Sequence, residues 1–260
     1  MRKKLFAAAA SVTLVLSAIS SAAFAETADR EASLKNATQI KETIAEELQD
    51  GKLSDFEKEN ILNQAADTAV EEFMMIKLNE AVELLEQEKP QLPAGKSYTA
   101  YNYDIGDGCE LSVELSDFAD KDFKQSAPQL ASSSDSANIW KEYGNRYFTA
   151  KATVTCAGVS VNFILENHYT LSVNGIDERY GTAKATSAVA KTGLGKGEPA
   201  VSKSSARNVG ASASIYCEFS CKAGTSDADN YKLNTTVKYL AHDKTGKRLQ
   251  VQQAWNLTKK

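Results

Sequence analysis

Two histidines in 260 residues leave little room for imidazole chemistry. Both, His168 and His242, fall on the polar register of extended segments, which predicts that they face solvent. Cysteine occurs four times, at Cys109, Cys156, Cys217 and Cys221, and each lies on the apolar register of its segment. A Cys–His pair would therefore have to cross a sheet, which argues against cysteine nucleophiles. No G-x-S-x-G elbow occurs, and serine is abundant only in loop-like stretches, so serine hydrolysis of that kind is excluded. Gly193, Gly195 and Gly197 lead into no Gly-Lys-Ser/Thr terminus and no helix, and they read as turn glycines rather than a phosphate loop. After residue 25 no apolar run is long enough to cross a bilayer. Residue 26 is Glu, so no cysteine stands there to take a lipid, and Leu92-Pro93-Ala94-Gly95 lacks the threonine of a sortase signal. These absences predict no stable membrane anchor.

What is present begins with an address. Arg2, Lys3 and Lys4 precede an apolar stretch from Leu5 to Ile19, and the small residues that follow end in Ala23-Phe24-Ala25. This predicts a secretory signal peptide over 1–25, cleaved near Ala25, and a mature chain that is extracellular or periplasmic, where disulfides persist. The formal charge of −4 is unevenly spread. Residues 26–90 hold 7 basic and 17 acidic side chains, residues 91–181 hold 7 and 12, and residues 182–260 hold 13 and 5. The two ends are thus electrostatically distinct, a solvated acidic helix face beside a Lys-rich sheet surface.

The hydrophobic period changes once. In the region 26–90 it is helical: Leu34, Ala37, Ile40, Ile44 and Leu48 predict a helix over about 33–50, and Asp50-Gly51 ends it. Ser54 and Glu57 form a capping box that opens a second helix over about 55–89, through Leu62, Ala66, Ala69, Phe73, Ile76 and Leu85, until Pro90 and Pro93 stop it. At ~1.5 Å per residue it would be about 50 Å long and would need a cover from the first helix, the sheets or another chain. From Tyr98 onward the period is two. Runs such as Cys109-Leu111-Val113-Leu115, Val159-Val161-Phe163-Leu165 and Ala213-Ile215-Cys217-Phe219 alternate with polar residues, and Asn174-Gly175 marks a hairpin. The fold class is therefore α+β: an N-terminal helical hairpin, then over 91–260 an antiparallel β-sandwich or open barrel of about seven or eight strands. Two stretches, 119–139 and 192–199, read as mobile loops. Residues 182–214 contain no aromatic side chain, and Ala, Ser, Thr and Gly fill 21 of their 33 positions.

Four cysteines in an exported chain suggest two disulfides. Cys217 and Cys221 stand four residues apart in an extended segment, roughly 13 Å, too far for a mutual bond. If all four are oxidised, each must pair with Cys109 or Cys156. Cys217-x-x-x-Cys221 has zinc-like spacing, but no imidazole lies on that side to complete a mixed site, so no metal and no other cofactor is expected. Asp104, Asp107, Glu110 and Glu114 are close enough in sequence to be considered as paired carboxylates, although solvated acids on a wet strand face account for them. Asp104-Ile105-Gly106-Asp107-Gly108 lacks the full ligand spacing of a Ca²⁺ loop and reads as a turn. Aromatics are too thin among the C-terminal lysines for nucleic acid.

The function expected from these patterns is a secreted, non-enzymatic binding or surface-associated protein with a protein or glycan partner. Loops 119–139 and 192–199 would be its contact regions and the long helix a docking or self-association element. The alternative is a secreted hydrolase of cell-wall or polysaccharide material using paired carboxylates. A third reading is a pore-forming protein that uses segment 182–214, whose outward face holds little Leu, Val or Phe for a lipid band.

Overall fold

A computed structural model describes residues 34–49, 53–93, 95–120, 140–187, 193–223, 227–243 and 248–260. The expected signal peptide, nearly all of the 119–139 loop and Thr192 lie outside the described residues.

The Ser54–Glu57 capping box forms as its spacing requires: the Ser54 hydroxyl accepts from the Glu57 amide, and the Glu57 carboxylate accepts from the Ser54 amide. The helical region holds three helices rather than two: α1 (Ala37–Gln49), α2 (Asp55–Asn63) and α3 (Asp67–Glu88). The single helix expected over 55–89 is interrupted at Gln64–Ala66. There the chain makes a parallel bridge between Ala65 and Leu34, with Ala66 N–H donating to Leu34 O and Leu34 N–H to Gln64 O. Ala66 is extended at φ −65° and ψ 143°, and the chain resumes as helix with Asp67 in its first turn, where a carboxylate is favoured. The break re-phases the apolar stripe. Phe73, Met74, Leu78, Ala81, Val82 and Leu85 are buried, whereas Ile76, expected on that face, is exposed. Lys89 ends α3 in the left-handed region, immediately before Pro90.

Twelve strands follow among the described residues, more than the expected seven or eight, in two antiparallel six-stranded sheets. Sheet one contains β1 (Tyr98–Asp104), β2 (Cys109–Ala119), β4 (Gly144–Cys156), β5 (Val159–Ser172), β6 (Gly175–Ser187) and β9 (Ser205–Ala206), in the order β1-β2-β4-β5-β6-β9. Sheet two contains β3 (Trp140–Glu142), β7 (Gly193–Lys196), β8 (Ala200–Lys203), β10 (Ser212–Lys222), β11 (Asp229–His242) and β12 (Arg248–Lys259). Its order is β3-β12-β11-β10-β7, and β8 also pairs with β10. Residues 193–196, expected within a loop tip, are thus a strand: Gly193 to Lys196 pair with Lys222 to Phe219.

The predicted alternation holds where it was strongest. Odd positions of β2 and β5 point inward and even ones outward. Inward residues of both sheets share one core, in which Phe163 of β5 lies 4.8 Å from Phe219 of β10 and 5.5 Å from Tyr231 of β11, ring centre to ring centre. Helix α3 touches β4 and β5 of sheet one and β10 and β12 of sheet two. The cover its apolar stripe requires therefore comes from this chain. Polar bonds fix the same contact: Tyr231 Oη donates to Asn79 Oδ1 at 2.8 Å, and Trp255 Nε1 donates to Pro90 O at 2.8 Å.

The hairpin marked by Asn174-Gly175 joins β5 to β6; Gly175 is the first residue of β6, paired with Ser172, so that Val173 and Asn174 form the loop. Gly175 has φ +110°, and a Cβ there would stand 2.1 Å from Ala206 O of β9. Only glycine allows β9 to lie this close.

Candidate functional site

Of the candidate carboxylates read from the sequence, Asp104 and Glu110 stand opposite each other across β1 and β2, both exposed, with Asp107 in the turn between and Glu114 four residues further along β2. Asp107 is bound by two lysines, Lys77 at 2.6 Å and Lys41 at 3.7 Å. Glu114 is paired to Lys151 at 2.5 Å across β2 and β4. Asp104 caps its own turn, accepting from the Gly106 amide at 2.8 Å, and Glu110 is exposed on β2. The structure does not gather them into a cleft.

One disulfide joins Cys109 to Cys156, with Cα atoms 4.4 Å apart. The crossed pairing expected if all four cysteines were oxidised does not form, because only two of them are bonded. Strand β3 leaves for sheet two, which makes β2 and β4 neighbours and sets Cys109 directly opposite Cys156. A Cα separation this short is typical of a non-hydrogen-bonded antiparallel pair. Cys217 and Cys221 lie on β10, in the other sheet, as buried free thiols. Burial pushes them up to about 11 and about 12 respectively, so neither is a thiolate at neutral pH.

The histidines occupy the expected face but do not stand open in water. His168 is stacked on Tyr180 at 4.2 Å, lies 5.9 Å from Tyr147, and its Nε2 is 2.6 Å from Glu166 Oε1. His242 is half-buried, with Nε2 2.6 Å from the Tyr143 hydroxyl. On the outer face of sheet one Phe118, Tyr147, His168 and Tyr180 form a continuous aromatic row across β2, β4, β5 and β6.

Charged residues drawn inward escaped the sequence reading; besides Glu71 of α3, which has no exposure, three of them are Asp117, Lys77 and the half-buried Glu178. Asp117, with no exposure, lies on the dry register of β2. It accepts from Tyr169 Oη at 2.9 Å and Arg146 Nε at 3.2 Å within sheet one, and from Gln253 Nε2 of sheet two, while Lys141 Nζ stands 3.3 Å away. Burial alone would lower the Arg146 guanidinium, but the Asp117 carboxylate outweighs it and holds the group above its ordinary value. Lys77 occupies the apolar stripe of α3, 2 % exposed, held by Asp107, Glu80 and Ile105 O. Glu178 follows the β9 pairing on β6, its amide donating to Ser204 O, and burial pushes its carboxyl up to about 7. Asn167 Nδ2 donates to Glu178 Oε1 at 3.1 Å, while Glu178 Oε2 and Asn167 Oδ1 are both buried without a partner among the described residues. A protonated Glu178 has a donor to offer there, and an ionised one has none. A charged residue on an otherwise apolar register was the available signal for Asp117 and Lys77. Each of the three is used to join elements of the fold.

An open polar surface lies elsewhere, on the outer face of sheet two. It is a groove of about 380 Å³ lined by Ser202 and Lys203 of β8, Ser212 and Ser214 of β10, Lys232, Asn234 and Thr236 of β11, and Asn256 of β12. Strand alternation builds it. Ala213, Ile215 and Cys217 turn into the core, so Ser212 and Ser214 turn out, and register aligns Lys203 with Ser214 and Thr236, and Tyr216 with Asn234 and Asn256. The floor is low because its side chains are short hydroxyls, while longer ones stand at the rim. At that rim Lys232 Nζ lies 3.9 Å from the centre of the Tyr216 ring. The lining offers hydroxyls, amides and ammonium groups and contains no carboxylate. Chemically it can exchange hydrogen bonds with a hydroxyl-rich ligand.

No family model matches the chain, and no curated protein or solved structure matches it. No group of His, Cys, Asp and Glu suited to a metal ion occurs among the described residues.

Proposed function

We propose that this chain is an exported, non-enzymatic glycan-binding protein, a β-sandwich that holds its ligand on the outer face of sheet two. The observation that carries the reading is the groove itself. Its floor consists of serine and threonine hydroxyls and two asparagine amides, on strands held rigid by full antiparallel pairing. Groups of this kind serve as both donors and acceptors, which suits ring hydroxyls. The carboxylates considered for hydrolysis are engaged by lysines, a turn or solvent, and the buried thiols are protonated, which supports binding over turnover. The export signal at 1–25 supplies the compartment in which such ligands are met. Contact is assigned to this face rather than to the 119–139 loop.

Affinity electrophoresis of the mature chain through gels containing individual soluble polysaccharides tests the reading. Retardation by at least one polysaccharide, diminished in an Asn234→Ala, Asn256→Ala variant with an unchanged circular dichroism spectrum, is expected. Retardation by none, or retardation indifferent to both substitutions, would remove this surface as the binding face.

A further inference from the structure

Charge in the groove departs from charge in the rest of the molecule. The chain is acidic overall at −4, and many of its surface cations are met by acids: Lys151 by Glu114, Arg179 by Asp120, Arg207 by Asp177, Arg248 by Asp243 and Lys259 by Asp229. Lys203 and Lys232 have no such partner among the described residues, and none of the eight lining residues is acidic. The nearest outward acid on β10, Glu218, stands across from Lys232 in register and is itself taken by Lys260. Two positive charges are therefore left uncompensated on a hydroxyl-lined surface. Solvated lysines usually carry no such meaning, but here they rim one concavity, and Lys232 is held in place over Tyr216.

Their placement bears on the kind of ligand. Lys203 lies on β8 and Lys232 on β11, two strands apart, and four residues separate Lys232 from Thr236, which shares the row of Lys203. With strands about 4.8 Å apart and a rise of about 3.4 Å per residue, the two Cα atoms are about 17 Å apart. That is the spacing of the attachment points, and an extended chain with repeated negative charges laid along the groove can meet both ammonium groups.

We propose that the groove takes an acidic polysaccharide, a hydroxyl-rich chain whose spaced anionic groups meet Lys203 and Lys232 while its hydroxyls lie over Ser214, Asn234, Thr236 and Asn256. This rests on the reading of the groove as a glycan face and adds the charge of the ligand to it. Nucleic acid is the competing polyanion. It would need ring faces free for base stacking, and the one aromatic ring at this rim has Lys232 over it.

The test is affinity electrophoresis of the mature chain against polygalacturonate, poly(glycerol phosphate), neutral dextran and single-stranded DNA, at low and high salt. The expected result is retardation by one or both acidic polyols in preference to dextran and DNA, weakening as salt rises. The arm that retards more identifies carboxylate or phosphate as the anion. A Lys203→Gln, Lys232→Gln variant should bind the acidic chain about tenfold more weakly, the loss expected for two exposed ion pairs. Equal retardation by dextran, insensitive to salt and to both substitutions, would overturn the charge assignment and leave the glycan face standing. Preference for DNA would overturn it in favour of nucleic acid. Retardation by nothing would take down the groove reading as well.

Discussion

The outward faces of the two sheets are made by the same alternation, yet they dispose of their polar groups differently. On sheet one the groups answer one another. Phe118, Tyr147, His168 and Tyr180 stack in a row, Arg179 lies 5.5 Å over Tyr180 while bonding Asp120, and Lys151 meets Glu114. On sheet two Asn234 donates to Thr236 and Lys232 lies over Tyr216, but Ser212, Ser214 and Asn256 stand around a hollow whose lining holds two lysines and no acid. A face whose groups are satisfied within the chain adds to stability, and a face that leaves some of them open is available to a ligand. The same division runs through the cysteines, bonded in sheet one and free in sheet two.

If that division is real, substitutions in and on sheet one should cost stability, and substitutions in the groove should not. The largest effect is expected at Asp117. Asp117→Ala leaves Arg146 and Lys141 as buried cations without their counter-charge and should cost about 3–5 kcal/mol in urea unfolding. Removing the disulfide as the Cys109→Ala, Cys156→Ala pair reopens a separation of 47 residues and should cost about 2–4 kcal/mol, whereas Cys217 and Cys221 should show no response to reductant.

Glu178 gives a dependence on pH. Its folded carboxyl holds a proton up to about pH 7, while an unfolded one releases it near 4.5. The favourable contribution is therefore complete below about pH 4.5, declines as pH rises and is gone above about 7, a span of about 3 kcal/mol. Glu178→Gln should flatten the decline between pH 5 and pH 8 in urea unfolding, and an unchanged slope would assign it to other groups. Tyr180→Ala, which unstacks His168, should cost about 1 kcal/mol. Smallest of all, Lys203→Gln and Lys232→Gln should each move the unfolding midpoint by no more than the equivalent of about 0.5 kcal/mol.

Legibility followed distance along the chain. The Ser54–Glu57 box and the two-residue alternation of β2, β5 and β10 depend on neighbours a few positions away, and both were readable. The interruption at Gln64–Ala66 depends on the backbone of Leu34 and leaves no local mark, since alanine is a good helix former. Strands β7, β8 and β9 consist of small and polar residues without an apolar rhythm, and they become strands only because β10 and β6 offer them partners. The Cys109–Cys156 bond was hidden for a similar reason, because it requires knowing that β3 departs for the other sheet. Asp117 was readable in principle, as the one charge in the series Leu111, Val113, Leu115. The groove was not, since its residues come from four strands and read singly as ordinary wet-face positions.

The lengths of the outermost strands bear on how this protein withstands crowding among its own copies. Among the described residues β9 has two residues, β3 three and β7 four, while β1 at the remaining border has seven. A strand of two to four residues offers few unpaired amides and carbonyls of its own, but β3 pairs with only Arg248–Gln250 of β12 and β9 with only Ile176 and Asp177 of β6, so the rest of those long strands borders its sheet as well. Accretion of one molecule onto the next would begin along Tyr98–Asp104 or along these stretches.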